Sequence, residues 1–232
     1  MSEKTVHILD AGTLGYGEAL SLQRRLVAGK KAGDTRDFLI LVEHPPVVTL
    51  GRAAAEAHLR VPREVLVARG VQVYDVDRGG DVTYHGPGQL VGYPIIDLKQ
   101  ADLRLHRFLR LIESVLIGVA GELGVSAGQR PNLAGVWTAG GKIAAIGIAV
   151  SRWITCHGFA LNVKRCITGF ELIIPCGLCR EAVTSLEELR GESLEMPRVR
   201  GMTAAAFARA MGRRAVTFPL QDVAGVAAEP AL

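Results

Sequence analysis

Residues 78–94 read RGGDVTYHGPGQLVGYP. Five glycines, Gly79, Gly80, Gly86, Gly88 and Gly92, alternate with side chains that donate or accept hydrogen bonds: Arg78, Thr83, Tyr84, His85 and Gln89. Glycine lets backbone amides come close to a ligand and admits dihedral angles barred to other residues. The block has no P-loop lysine and no GxGxxG. From the residues themselves two readings stay open: a loop that lines a ligand, or a pair of turns joining strands with Arg78 paired at the surface.

The flanks supply a frame for that block. Upstream, VQVYDVD (71–77) alternates with period two, and DFLILVEH (37–44) is an apolar run of strand length. PPVVTLG (45–51) and TVHIL (5–9) offer two further strands. Between them, residues 15–33 repeat apolar positions at helical spacing, with Gly33 as the stop. Pro62 opens a short helix over 62–69, a position that tolerates a missing N–H. Downstream, Asp102 is placed as the N-cap of a helix over 103–123. Its buried stripe is Leu105, Phe108, Leu109, Ile112, Leu116 and Val119, and Gly124 ends it. Residues 133–163 turn to strands, with TAGGK (138–142) as a hairpin turn. SLEE (185–188) is a capping box, and TAAAFARAMGRR (203–214) reads as a helix with a basic end. The order of strands and helices is mixed and not strictly alternating, which favours a mixed α/β (α+β) domain.

The chain has 232 residues, 49% of them hydrophobic, enough for one sizeable core. One domain is expected over 1–220, with 221–232 as a flexible tail. The formal charge of +4 is scattered in short clusters such as Arg24-Arg25, Lys30-Lys31 and Arg213-Arg214. A nucleic-acid binder would gather them on one face, so no nucleic-acid partner is expected. A modest basic excess would still steer an acidic protein partner. No signal peptide is visible, and the most apolar long stretch, 102–125, carries Arg104, Arg107, Arg110 and Glu113. The expectation is a cytoplasmic protein with no membrane contact.

All four cysteines fall late, at 156, 166, 176 and 179. Stable disulfides are uncommon in the cytosol, and only CGLC (176–179) resembles a motif. A metal clip, a redox pair and a single nucleophile all remain open, with zinc ranked below catalysis. Lys142 begins the apolar stretch KIAAIGI. Lysines there are commonly just exposed, but burial would disfavour the ammonium and turn the amine into a usable base. TCHGFALNV (155–163) adds His157, Gly158 and Asn162. A histidine beside a strand is more often a satisfied structural residue than a ligand.

Four segments in order resemble the lipoyl (octanoyl) transferase family: RGGDVTYHGPGQLVGYPIIDL (78–98), GKIAAIG (141–147), HGFALNV (157–163), and PCG (175–177) followed by TSL (184–186). The resemblance runs from about Leu39 to Leu189. It implies the biotin/lipoate protein ligase-like fold, a mixed sheet flanked by helices. It also implies transfer of an octanoyl group from acyl carrier protein to a lysine of lipoyl domains, in 2-oxoacid dehydrogenase complexes or the glycine cleavage H protein. No cofactor, ATP or metal would be needed. Carried over, Cys176 would be the acyl-thioester nucleophile and Lys142 its proton partner. The substrate would be lined by Arg78, Gly79, Gly80, Asp81, Val82, Thr83, Tyr84 and His85, by Ala145, Ile146 and Gly147, and by Gly158, Phe159 and Ala160. Cys156, Cys166 and Cys179 depart from the family pattern. The alternatives are an ATP-dependent lipoate or biotin protein ligase, a non-catalytic carrier or lipoyl-domain binding module, and a zinc or redox protein built on Cys176 and Cys179.

Overall fold

A computed structural model describes residues 4–131, 133–165, 168–174 and 182–226. Sixteen elements follow in order: β1 (Thr5–Thr13), α1 (Tyr16–Lys31), β2 (Asp37–Glu43), β3 (Val47–Leu50), α2 (Arg63–Ala68), β4 (Gln72–Asp75), β5 (Val82–His85), β6 (Gln89–Ile95), α3 (Leu105–Glu122), β7 (Gly128–Arg130), β8 (Leu133–Thr138), β9 (Gly141–Ser151), β10 (Ile154–Asn162), α4 (Leu186–Arg190), α5 (Met196–Ala210) and β11 (Arg214–Thr217).

Eight strands form one mixed sheet in the order β11-β1-β2-β6-β10-β9-β8-β7. β1 runs parallel to both β11 and β2, and the remaining neighbours are antiparallel. The DFLILV run lies at the centre of this sheet because both of its faces are covered. Leu39 and Leu41 point to one side, where Phe108, Ile112 and Leu116 of α3 and Phe207 of α5 pack. Phe38, Ile40 and Val42 point to the other, against Ala19 and Leu26 of α1. β10 divides the same way, with Phe159 and Leu161 toward α3 and Ala160 toward α1. A second sheet, β4-β3-β5, has its own small core of Val48, Leu50, Leu66 and Tyr84. A mixed sheet flanked by helices is the architecture expected from the sequence.

Three local expectations change. α3 begins at Leu105 with Arg104 at the cap, not Asp102. Asp102 closes a preceding turn at a φ of 52°, a conformation that a helix cap does not use. α5 starts seven residues before Thr203, because Pro197 suits a first turn and Met196 and Val199 are buried there. Its basic end is not helical: Arg214 opens the edge strand β11. The expected tail is in part ordered. Residues 220–225 form a 3-10 turn, and Val223 and Val226 pack in the α1 layer. No helix among the described residues is long and apolar enough to cross a membrane.

Candidate active site

The small sheet stands over the middle of the large one, and a cavity of about 370 Å³ lies between them. Strand register explains why it is empty. Antiparallel pairing sets Gly147 against Gly158 and Ala145 against Ala160, and Ala160 against Val91 of β6. Neighbouring small residues on one face of three adjacent strands leave a trough that larger side chains would fill. Arg78–Thr83 and His85 form the opposite wall, Tyr16 of α1 and Tyr93 of β6 close one side, and Lys142 stands among the lining residues.

The RGG loop is pinned at both ends. The Gly79 N–H donates to the Ile148 carbonyl at 3.1 Å. A Cβ on Gly147 would stand 2.8 Å from the Gly79 carbonyl oxygen, so only glycine admits the loop this close to β9. Arg78 is buried, and its guanidinium donates to Thr49 Oγ1 at 3.0 and 3.2 Å and to the Thr49 carbonyl at 2.8 Å. Asp81 accepts from His58 Nδ1 at 2.8 Å and from the Val82 N–H at 2.7 Å.

A buried chain of hydrogen bonds orients His85. Asn162 Nδ2 donates to the Thr184 carbonyl at 3.0 Å, so Asn162 Oδ1 is the acceptor for Gln89 Nε2 at 2.9 Å. Gln89 Oε1 must then accept, and His85 Nδ1, at 2.7 Å, must carry the proton. Burial, with His44 nearby, pushes the His85 pKa down to about 3, so the ring is neutral and its Nε2 keeps a lone pair. The same logic fixes His44. Its Nδ1 donates to the Leu14 carbonyl at 2.7 Å, and Nε2 accepts the Tyr93 hydroxyl proton at 2.8 Å.

Lys142 is half-buried, with its ammonium 5.0 Å from the Trp137 ring centroid. Its stem passes over Gly135, where a Cβ would lie 2.7 Å from the lysine Cε. The backbone of Lys142 binds residues 182–184: its N–H donates to the Ala182 carbonyl at 2.9 Å, and its carbonyl accepts from the Thr184 N–H at 3.1 Å.

Of the residues proposed from sequence, Arg78 to Thr83, His85, Lys142, Ala145 to Gly147 and Gly158 to Ala160 all line this cavity. Tyr84 is not among the lining residues. Strand alternation turns its ring to the far face of β5, 5.7 Å from Phe170. Cys176, Cys166 and Cys179 lie outside the described residues. Cys156 is described: burial pushes its thiol up to about 11, and it donates to Gln23 Oε1 at 3.4 Å. Among the described residues no group of three or more His, Cys, Asp or Glu side chains could hold a metal ion.

Sequence reading overlooked Tyr16, Thr49, Asp77 and Tyr93. Tyr16 falls among the apolar positions that repeat at helical spacing over 15–33, and Thr49 and Asp77 carry no local signal. His157 was read as structural; it lines the cavity, and its Nε2 lies 2.7 Å from Asp77 Oδ1.

Residues 15–208 match the lipoyl protein ligase A/B catalytic domain. An octanoyltransferase of Geobacter metallireducens is 46% identical over 200 residues, covering 86% of this chain and 91% of the relative. An octanoyltransferase of Caldicellulosiruptor saccharolyticus is 46% identical, covering 86% of each. Among solved structures, lipoate-protein ligase A bound with ATP superposes with a TM-score of 0.74 at 15% identity, covering 96% of this chain and 93% of that one. The bipartite lipoate protein ligase of Thermoplasma acidophilum gives 0.73 at 17% identity, with 96% and 91% covered. The structural likenesses carry the fold, the sequence identities carry the family: the chain belongs to the lipoyl protein ligase A/B catalytic family, in its octanoyltransferase branch, and is an acyltransferase.

Proposed function

We propose that this enzyme moves an octanoyl group from octanoyl-acyl carrier protein to a lysine of a lipoyl domain, through a thioester on Cys176, without ATP or metal. The observation that carries the reading is the cavity, whose small-residue floor suits a slender acyl chain and whose lining includes both the RGG loop and Lys142. The segment bound to the Lys142 backbone begins at Ala182, and Cys176 stands six residues before it in the sequence. The names of the relatives support octanoyl as the group.

In the first half the Cys176 thiolate attacks the carrier thioester, and Lys142 protonates the departing pantetheine thiolate. In the second half a neutral lysine amine attacks the acyl-cysteine. The C–S bond breaks, sulfur leaves as thiolate, and the nitrogen sheds its surplus proton to Lys142. Cysteine is a sensible carrier because the exchange conserves a thioester, and a nearby cation favours the thiolate that attacks. Each half passes through an oxyanion, for which the backbone N–H groups of the RGG loop are candidate donors. Each buried methylene contributes about 0.8 kcal/mol, so a medium chain gains several kcal/mol in an apolar trough.

The test is intact mass spectrometry after mixing the protein with octanoyl-acyl carrier protein in the absence of ATP, followed by peptide mapping. An octanoyl increment on Cys176, absent in Cys176→Ala, is expected. No adduct, together with lipoyl-domain modification that needs ATP and free octanoate, would replace the reading with a ligase.

A further inference from the structure

His157 adopts a conformation that a strand does not ask for. Its φ is 59°, in the left-handed region, which is unfavourable for a non-glycine residue. Opposite it, two residues beyond the Gly92–Phe159 pair, β6 presents Pro94, which has no N–H for the His157 carbonyl and whose own carbonyl accepts the Thr155 hydroxyl at 2.6 Å. The His157 N–H donates to Gln23 Oε1 on α1, at 2.8 Å. In an undistorted β10, residue 157 would follow Phe159 and Leu161 into the α3 core; instead the ring lines the cavity.

The ring is held from one side only. Nε2 donates to Asp77 Oδ1 at 2.7 Å, while Nδ1 is buried without a hydrogen-bond partner. In the neutral ring Nδ1 therefore carries a lone pair, and burying it unpaired is unfavourable. His157 is 1% exposed, whereas the Asp77 carboxylate is 66% exposed. One end of the pair is in the cavity wall and the other is in water. Strained backbone, an orphaned acceptor and an exit to solvent meet in one residue pair that the acyl-cysteine scheme does not use.

We propose that Asp77 and His157 form the proton-accepting pair for the incoming lysine, with His157 Nδ1 taking the first proton from its ammonium. This step rests on the octanoyl transfer reading and completes it, since a lysine reaches the enzyme charged and must attack as the amine. The proton passes to the Nδ1 lone pair, and the N–H bonding electrons stay on the lysine nitrogen. The neutral amine then attacks the acyl carbonyl carbon. The imidazolium passes its Nε2 proton to the Asp77 carboxylate, which releases it to water at the exposed rim; when product leaves, water entering the cavity takes the Nδ1 proton while Nε2 is reprotonated through Asp77, which restores the starting tautomer. Lys142 handles only the second proton, released as the tetrahedral intermediate collapses.

The groups that face His157 set the sign of its titration. Burial disfavours the imidazolium, Asp77 favours it, and Arg78 and Arg24 of α1 oppose it, for a net lowering. His85, Tyr16 and Tyr93 share the cavity wall. Removing the Asp77 charge therefore lowers the pH at which the ring takes up its proton.

The two half-reactions separate this proposal from its parent. Acyl-enzyme formation is followed by intact mass with octanoyl-acyl carrier protein, and discharge of the preformed acyl-enzyme to a lipoyl domain is followed across pH. In Asp77→Asn, discharge is expected to fall at least tenfold relative to acylation, and the acid limb of its pH profile to move to lower pH. The His157 ring resonance in NMR titration should move the same way. His157→Asn, which tolerates the left-handed backbone, should remove that limb. Equal losses in both halves, with the limb unmoved in Asp77→Asn, would make the pair structural and overturn the proposal alone. Failure of the wild-type protein to acylate at all would overturn the octanoyl transfer reading and this step with it. Asp77 is exposed, so its variant keeps the test decisive if His157→Asn does not fold.

Discussion

Ala145→Leu tests whether the trough between the sheets measures an acyl chain. Ala145 is half-buried on β9, lines the cavity, and faces its register partner Ala160. Leucine adds three carbons to a wall that now ends at a methyl group. Filling that space displaces about three methylenes of the bound chain. At about 0.8 kcal/mol each the loss is about 2.4 kcal/mol, or roughly 50-fold in kcat/KM for acylation by an octanoyl donor. A butanoyl donor leaves that part of the trough vacant and should change by less than about threefold, so the octanoyl-to-butanoyl preference should collapse by more than an order of magnitude. The assay is initial-rate acylation of Cys176 with the two carrier thioesters at matched concentrations. Thermal unfolding checks that the variant is folded, which is expected because the new side chain enters open space and not packed core. If both donors slow equally, or neither does, the chain does not lie along β9 and the account of substrate selection is refuted.

Two further outcomes follow from the packing. In Gly86→Ala the new Cβ would sit 2.2 Å from the Tyr84 hydroxyl, and that ring is held against Phe170. Overpacking of about 1–3 kcal/mol should lower Tm by about 2–12 °C, and an unchanged melting curve would show that Tyr84 is not held as described. Burial lowers the pKa of His44, His85 and His157 below the usual histidine value, to about 3 for His85. The unfolded chain then binds protons that the native state refuses, so stability is complete above about pH 6.5 and falls as pH drops toward the folded values. Each histidine contributes up to about 1.4 kcal/mol per pH unit in that window. Urea unfolding midpoints at pH 7.5 and 5.5 should differ accordingly, and equal midpoints would mean that these rings are protonated in the folded protein.

Much of the frame was legible because it rests on short-range rules. The apolar run at 37–44 reads as a strand, and β2 is that strand, with both of its faces covered. Ser185 accepts the Glu188 N–H at 3.3 Å, one half of the expected capping box, while the Glu188 carboxylate accepts the Thr184 hydroxyl at 3.0 Å. Gly33 and Gly124 follow helices in left-handed conformations, at φ values of 107° and 78°. What failed involved residues whose fate depends on distant partners. Asp102 has the composition of a cap but lies in a turn; the ordering of residues 221–226 depends on α1, to which the tail gives no local clue.

Residue type and spacing mark the glycine block as a loop or pair of turns, Lys142 as a strand-start amine and HGFALNV as a small-residue strand, and the family resemblance is what joins them into one expected site. That they line one cavity was decided by the register of β9, β10 and β6 and by the elements that stand over them, which bring residues as distant as Gln23 and His157, 134 positions apart, into contact. The protonation pattern was decided there too. Which nitrogen of His85 carries hydrogen depends on a chain of acceptors that ends at the Thr184 carbonyl. Sequence specifies what each side chain can donate or accept; only the folded arrangement of its neighbours, and their exclusion of water, determines which of those options it takes.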